Sequence, residues 1–133
     1  MSAGTGAAPG GRGRLSRTAT SVPEAVRALQ HLTLGPADEL RSPADVADVI
    51  AGLSLAISLM PQLFGQLAAF LEVENVKGAV SHGRGTGAAG YVRAVSDALH
   101  RAGLDAEAMA AALDAAHEAC AELQAATGIT AAG

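Results

Sequence analysis

The chain has no tryptophan and only three aromatic residues, Phe64, Phe70 and Tyr91. Half of its 133 residues are hydrophobic, yet about a quarter of the chain is alanine, whose methyl group buries little apolar area. Alanine is also the best helix former among the residues. A core made mainly from alanine, leucine and valine predicts closely packed helices of modest stability, helped by self-association.

Cysteine and lysine are nearly absent as well. The single cysteine, Cys120, excludes an intrachain disulfide, which fits a reducing compartment. The charged N-terminus is not followed by an apolar segment, so no signal peptide is visible and we expect a cytoplasmic protein. One lysine against eight arginines, with so much alanine and glycine, is typical of a GC-rich bacterial genome.

Motifs for catalysis or ligand binding are scarce. Residues 85–90 match G-x-G-x-x-G, but no strand precedes them, and a flexible linker is the simpler interpretation. Asp114, His117 and Cys120 could approach one helix face as metal ligands, but no second pair accompanies them. Because no nucleophile, base and oxyanion donor can be assembled, we expect no enzyme activity, no metal and no cofactor.

Charge is missing from the 23 consecutive residues between Asp48 and Glu72. At 1.5 Å per residue this stretch is about 34 Å long as a helix, enough to cross a bilayer. Pro61, Gln62 and Gln66 lie near its middle and oppose insertion. We therefore favour two central helices of a soluble core that meet at Pro61, with a membrane anchor over residues 49–71 as the alternative.

Capping signals locate the first helices. Ser21 with Glu24 forms a capping box, which predicts a first helix over about 22–33. Ser42, Pro43 and Asp45 predict the start of the next helix, because serine caps, proline suits the first position and an acid favours the positive helix end. That helix should break or kink at Pro61, and its continuation should end near residue 75.

The second half of the chain predicts two further helices. A glycine-rich connector over 77–90 precedes the first of them, and Gly103 is expected to end it. The last helix should run to about Ala126. Its apolar residues follow a 4-3-4-3 spacing typical of packing within a bundle: Met109, Leu113, Ala116, Cys120 and Leu123. The predicted fold is thus an all-α, four- or five-helix bundle over residues 21–127, with a disordered basic tail over 1–20.

Charge is distributed unevenly along the chain. Arg12, Arg14 and Arg17 make the N-terminal segment basic, whereas residues from 104 onward include five acids and no lysine or arginine. The net charge of −4 does not favour a nucleic-acid partner. The basic arm leaves open a nucleic-acid-associated regulatory module, against the simpler interpretation of a solubilising tail.

Three segments carry a resemblance: Ala25-Val26-Arg27-Ala28-Leu29-Gln30-His31-Leu32, Asp38-Glu39-Leu40-Arg41-Ser42-Pro43-Ala44-Asp45-Val46, and Leu113-Asp114-Ala115-Ala116-His117. In these segments the chain resembles short uncharacterised helical proteins of high-GC actinobacteria, often encoded near mobile elements. The resemblance implies a soluble accessory protein and no catalytic residues.

We therefore predict a non-catalytic interaction, scaffold or accessory protein, whose partner is another protein or a second copy in a homodimer. The alternatives are the membrane anchor and the nucleic-acid-associated module. The residues expected at the interface are the large apolar side chains of the central and last helices: Leu53, Ile57, Met60, Leu63, Phe64, Leu67, Phe70, Met109 and Leu113.

Overall fold

The structure is a computed structural model and describes residues 13–78 and 87–132. Helices and turns account for these residues, and no strand occurs among them, which confirms the all-α class. The elements are α1 (Arg14–Leu32), a 3₁₀ turn (Gly35–Ala37), α2 (Pro43–Ser58), α3 (Met60–Val76) and α4 (Ala88–Ala132).

α2 and α3 form one interrupted helix, because only Leu59 separates them. Pro61 lacks the amide hydrogen that would continue the regular ladder, and the interruption lies just before it, as the sequence predicts. The amide of Leu59 still donates to the carbonyls of Leu55 and Ala56, each at 3.3 Å. The two segments therefore follow each other as a single helical rod, called the α2–α3 helix below.

The prediction of four or five helices is wrong, since the described residues form three when α2–α3 is counted once. The error lies at Gly103, which does not end a helix but is buried inside the 45-residue α4. A Cβ on Gly103 would lie 3.5 Å from Cα of Pro61 and 4.0 Å from Cδ2 of Phe64. The glycine thus serves close packing between helices and not termination.

α1 begins earlier than predicted, at Arg14 and not near Val22. Ser21 lies inside the helix, where its hydroxyl donates to the carbonyl of Thr18 at 2.6 Å, and Pro23 is an internal residue. No glycine or proline stands between Arg14 and Pro23 to stop the helix, so the capping-box pattern does not mark a start. Residues 14–20 of the predicted disordered tail are therefore helical, and residues 1–12 lie outside the described part.

The predicted start of α2 is confirmed. Ser42 and Asp45 form a capping box, in which the amide of Ser42 donates to Oδ2 of Asp45 at 3.2 Å. Pro43 occupies the first helical position, where a missing amide hydrogen costs nothing. At the other end of the rod, Gly78 adopts a φ of 77° and its amide donates to the carbonyl of Asn75 at 3.0 Å. Only glycine adopts such a φ readily, which explains the stop.

The chain divides into two compact units, Met1–Arg41 and Ser42–Gly133. In the first unit, α1 has no buried residue. Its C-terminal end is tied by the amide of Glu39, which donates to the carbonyl of Leu32 at 2.7 Å, and by the hydroxyl of Thr33, which donates to the carbonyl of Leu29 at 2.8 Å.

The second unit is an antiparallel helical hairpin, in which α4 packs along both α2 and α3. The pairing is visible at three levels. Ser54 contacts Asp114, Pro61 faces Gly103, and Asn75 lines the same small cleft as Val92. In each of these pairs the two sequence numbers have nearly the same sum. This is expected for antiparallel helices, because a step forward along one helix is a step backward along the other. The connector over residues 79–86 lies outside the described part.

A heptad-like seam on α4 forms the inner face of the hairpin. Its residues recur every three or four positions: Val92, Ser96, Leu99, Gly103, Ala106, Ala110 and Leu113. Val92, Ala106 and Ala110 are each at least nine-tenths buried, and most members of the seam are small. The predicted seam of the last helix has the right period but is rotated. Leu113, Ala116 and Cys120 are half-buried, whereas Met109 and Leu123 are exposed.

Candidate interaction surface

The nine residues predicted for an interface divide into two groups. Leu53, Ile57, Met60, Phe64 and Leu113 are half-buried. The other four keep about half of their side-chain surface in solvent or more: Leu63, Leu67, Phe70 and Met109. The predicted set therefore mixes partly covered positions with positions that stay open.

The open positions belong to a longer apolar stripe on the α2–α3 helix. Its members follow one another at intervals of three or four residues: Leu55, Leu59, Leu63, Leu67, Phe70 and Val73. We call this set the leucine stripe. Every member is 48% exposed or more, and Leu55, Leu59 and Phe70 exceed 60%. Leu55, Leu59 and Val73 are not among the predicted interface residues, although Leu55 and Leu59 have this spacing within the charge-free segment and Val73 continues it just beyond Glu72.

The leucine stripe lies largely opposite the inner face of the same helix. At 3.6 residues per turn, the stripe centres roughly 140° from the direction of Ile57, Phe64 and Ala68, which face the hairpin interior. A surface helix usually carries polar residues on that outer side. Here the outer side has no charge between Asp48 and Glu72, so this part of the α2–α3 helix is apolar on both sides. Among the described residues, the helix that packs along it is α4.

One flank of α4 extends this apolar surface. Because α4 runs antiparallel to α2–α3, helical geometry places Leu63 and Leu67 on the same side of the hairpin as Val95 and Met109. Val95 and Met109 are 41% and 53% exposed. The charged residues of α4 project mainly from its other flank. One side of the hairpin is therefore apolar on both helices.

The opposite side of the hairpin holds a shallow groove of about 280 Å³. Glu72, His100 and Glu107 line it together with apolar side chains. Ser96 also lines it, and its hydroxyl oxygen is buried without a hydrogen-bond partner among the described residues. The groove is open and only partly polar.

A hydrogen bond between side chains joins the helices inside the hairpin. The hydroxyl of Ser54, which is buried, donates to Oδ1 of Asp114 at 2.5 Å. Asp114 itself is exposed on α4. The bond satisfies a buried hydroxyl that sits among apolar residues, and it fixes the register of α2 against α4.

The residues considered for chemistry do not assemble into a site in the described part of the chain. Cys120 is half-buried and reduced. No group of three metal-ligating side chains forms among the described residues, even though Asp114, His117 and Cys120 share one helix. Gly87, which directly precedes α4, has a φ of 85°, and Gly90 lies within that helix. His82 and Gly85 lie outside the described residues.

The predicted basic arm is only partly described. Arg14 and Arg17 lie in the first turns of α1 and are exposed, and Arg12 falls outside the described residues. The apolar side of α1, which includes Val22 and Val26, is about half exposed.

No family model, curated protein or solved structure matches this chain.

Proposed function

We propose that the chain is a non-catalytic interaction protein, and that the leucine stripe of its hairpin is where a protein partner binds. The observation that carries this proposal is the exposure of six large apolar side chains along the α2–α3 helix, five of them within its charge-free segment. Burying a large aliphatic side chain completely stabilises a complex by about 1.5–3 kcal/mol. Half-exposed residues such as Leu63 and Leu67 therefore offer a partner about 1 kcal/mol each.

The contrast with the rest of the hairpin supports the same proposal. Isolated exposed apolar residues are normal on a protein surface, whereas a contiguous apolar patch marks an interaction site. The stripe runs for about 27 Å along one helix, since residues 55–73 rise by 1.5 Å each. The flank of α4 beside it, with Val95 and Met109, widens the patch.

The experiment compares three forms of the tagged full-length chain expressed in the organism that encodes it. The wild type, Leu63→Gln and Leu104→Gln are purified side by side, and the retained proteins are identified by mass spectrometry. Leu104 is the matched control, because it is 53% exposed but lies on α4 beside the polar groove. We expect wild type and Leu104→Gln to retain the same protein and Leu63→Gln to lose it.

The result is combined with the mass of the purified wild type by light scattering. If the wild type stays monomeric over a wide concentration range and retains no protein, the proposal is wrong. Retention of the same protein at the same level by all three forms would also contradict it, since the stripe would then play no part.

Membrane association is a second candidate, because Pro43–Val76 is long and apolar enough to cross a bilayer and only 11% of its apolar window is buried. The packing of α4 opposes it. Residues 49–71 lie against the part of α4 that carries Asp97, Arg101, Asp105, Glu107 and Asp114. Each charge costs about 2.5–3.5 kcal/mol at the centre of a spanning helix. The insertion energy of the apolar residues, about −0.3 to −0.6 kcal/mol each, does not offset that cost.

A membrane anchor would therefore require the hairpin to open. Cell fractionation decides between the two candidates. Recovery of the full chain in the supernatant without detergent is the expected outcome, and recovery only after detergent extraction would favour the anchor.

A further inference from the structure

The proposed interaction surface has features of a surface that pairs with itself. We propose that its occupant is a second copy of this chain, bound antiparallel with a twofold axis near Leu63, so that two hairpins form a four-helix assembly. This inference rests on the proposed function and names the partner.

The first argument is the symmetry of the leucine stripe about Leu63. Leu59 and Leu67 lie four residues to either side, and Leu55 and Phe70 lie eight and seven residues away. In an antiparallel pair with its axis at Leu63, Leu63 meets its own copy, Leu59 meets Leu67, and Leu55 meets Phe70. A twofold interface requires this self-complementarity, because each patch binds the same patch on the other subunit.

The charges at the two ends of the stripe complement each other in the same arrangement. Asp48 and Lys77 both lie on the stripe side of the helix and are exposed. They are 15 and 14 residues from Leu63, so Lys77 of one copy comes beside Asp48 of the other. Among the described residues, Lys77 forms one ion pair, at 3.5 Å with Glu74 three positions before it. Glu72 and Glu74 fall opposite the uncharged residues 52–54, so the acids of one α2–α3 helix do not face acids of the other α2–α3 helix.

Two glutamines distinguish a protein occupant from lipid. Gln62 and Gln66 are exposed on the outer edge of the stripe, close to the proposed axis. In lipid their amides would lie at the centre of an apolar segment without a partner, which is costly. In the antiparallel pair Gln62 of one copy comes near Gln66 of the other, and each amide can both donate and accept.

The available area suits a stable pair. From Asp48 to Lys77 the helix rises about 44 Å, and two packed helices are about 20 Å wide. The α2–α3 helix alone, about 10 Å wide, thus presents roughly 440 Å², and the flank of α4 beside it brings the face to at most roughly 900 Å², against the 800 Å² or so that each partner buries in a standard interface. Both helices carry exposed apolar residues on that side, which include Leu67 on α3 and Met109 on α4.

The test measures the dissociation constant of the full chain by sedimentation equilibrium. We expect a wild-type dimer of twice 13.1 kDa, at least tenfold weaker association for Leu63→Gln, and less than a twofold change for Leu104→Gln. Leu59→Gln is the second stripe variant, in case Leu63→Gln fails to fold. Circular dichroism at each concentration checks that every variant keeps its helical content.

Disulfide cross-linking tests the orientation in a Cys120→Ser background. Leu63→Cys should cross-link to itself under mild oxidation. Leu55→Cys should not cross-link to itself, but it should cross-link to Phe70→Cys when the two variants are mixed. Self cross-linking of Leu55→Cys would indicate a parallel pair and overturn the antiparallel arrangement.

The remaining outcomes separate this inference from the proposed function. A folded wild type that stays monomeric up to high concentration overturns the homodimer, and the proposed function survives only if a different protein is then retained through Leu63. If Leu63→Gln leaves the dimer unchanged but Leu104→Gln weakens it, the contact lies on the groove side. The proposal that the leucine stripe forms the dimer contact is then wrong. Flotation of the wild type with phosphatidylcholine vesicles, lost in Leu63→Gln, would make lipid the occupant.

Discussion

Two small residues, Ser54 and Gly103, bring the helices of the hairpin together. Ser54 is buried and hydrogen-bonded across the interface, and Gly103 lets α4 approach Pro61 without a side chain between them. Neither role could be predicted from the sequence. Ser54 resembles any other polar interruption of an apolar helix, and its partner Asp114 is 60 positions away. Glycine at 103 resembles a helix terminator, because its packing partner belongs to another element.

The bond between Ser54 and Asp114 yields the first residue-scale prediction. Asp114→Ala leaves a buried hydroxyl without an acceptor, which costs about 1–3 kcal/mol. We expect the lower half of that range, since Asp114 is exposed and water can reach the site. Urea denaturation followed by circular dichroism measures the loss. Asp105→Ala is the matched control, because it removes an exposed aspartate from the same helix.

A double-mutant cycle separates the bond from other effects of the substitution. Ser54→Ala should destabilise the wild type only slightly, because exposed Asp114 can bind water instead, but it should restore stability to Asp114→Ala, because it removes the buried hydroxyl that has lost its acceptor. Equal costs of Ser54→Ala in both backgrounds would show that the two side chains are not energetically coupled.

Substitutions of Gly103 should raise or lower the stability of the hairpin according to the size of the new side chain. Gly103→Ala places a methyl group at ordinary contact distance, 3.5 Å from Pro61, and removes the entropic cost of a helical glycine. We expect about 0.5–1 kcal/mol of added stability. Gly103→Leu has no room for its longer side chain and should destabilise the hairpin by about 1–3 kcal/mol. Thermal and urea unfolding measure both changes.

Gly65 is the control for that pair of substitutions. It lies inside α3 and has nothing within 4 Å of its would-be Cβ. Gly65→Ala and Gly65→Leu should both leave the stability unchanged or raise it, because at this open position only the helix propensity of the new residue changes. If Gly103→Leu is tolerated as well as Gly65→Leu, the close approach of α4 to Pro61 plays no part in stability.

At the scale of elements, the sequence predicts that a segment is helical more accurately than it predicts where the helix begins and ends. The start of α2 is correct because the Ser42–Asp45 capping box makes the contacts that its pattern implies. The similar pattern at Ser21 is misleading, since the helix of α1 already begins at Arg14 and the serine bonds backward to Thr18. A capping-box sequence therefore marks the start of a helix only where the residues before it are not themselves helical.

The seam of α4 shows the same limit for the faces of helices. Periodicity alone identifies an apolar stripe through Met109, Leu113 and Cys120. The true inner face is rotated from it, through Ala106 and Ala110, because small residues allow the close approach that the hairpin requires. The spacing of the large apolar residues predicts that they pack within a bundle, yet Met109 and Leu123 are exposed. Which face of α4 becomes the inner face depends on the helix packed against it, and the periodicity of α4 carries no information about that helix.

At the scale of the whole molecule, the hairpin does not cover the apolar surface of its own central helix. A charge-free segment as long as residues 49–71 has apolar surface that must be covered, by other helices or by a second chain. Within Ser42–Gly133 the only described helix that packs on α2–α3 is α4, which lies on one side. In place of the predicted four- or five-helix bundle, residues 13–78 and 87–132 form three helices, and the leucine stripe remains exposed.

If a second copy covers the stripe, the stability of the molecule depends on its concentration. Unfolding then releases two chains from each dimer, so a hundredfold rise in protein concentration stabilises the dimer by about 2.7 kcal/mol. Shared between two chains, this gain should raise the Tm of the wild type by about 5 °C. Differential scanning calorimetry of the full chain over a hundredfold concentration range measures the shift. We expect the same rise for Leu104→Gln, whose side chain lies beside the polar groove, and little or none for Leu63→Gln. A wild-type Tm that does not change with concentration would mean that the folded hairpin is stable alone and leaves its leucine stripe in water.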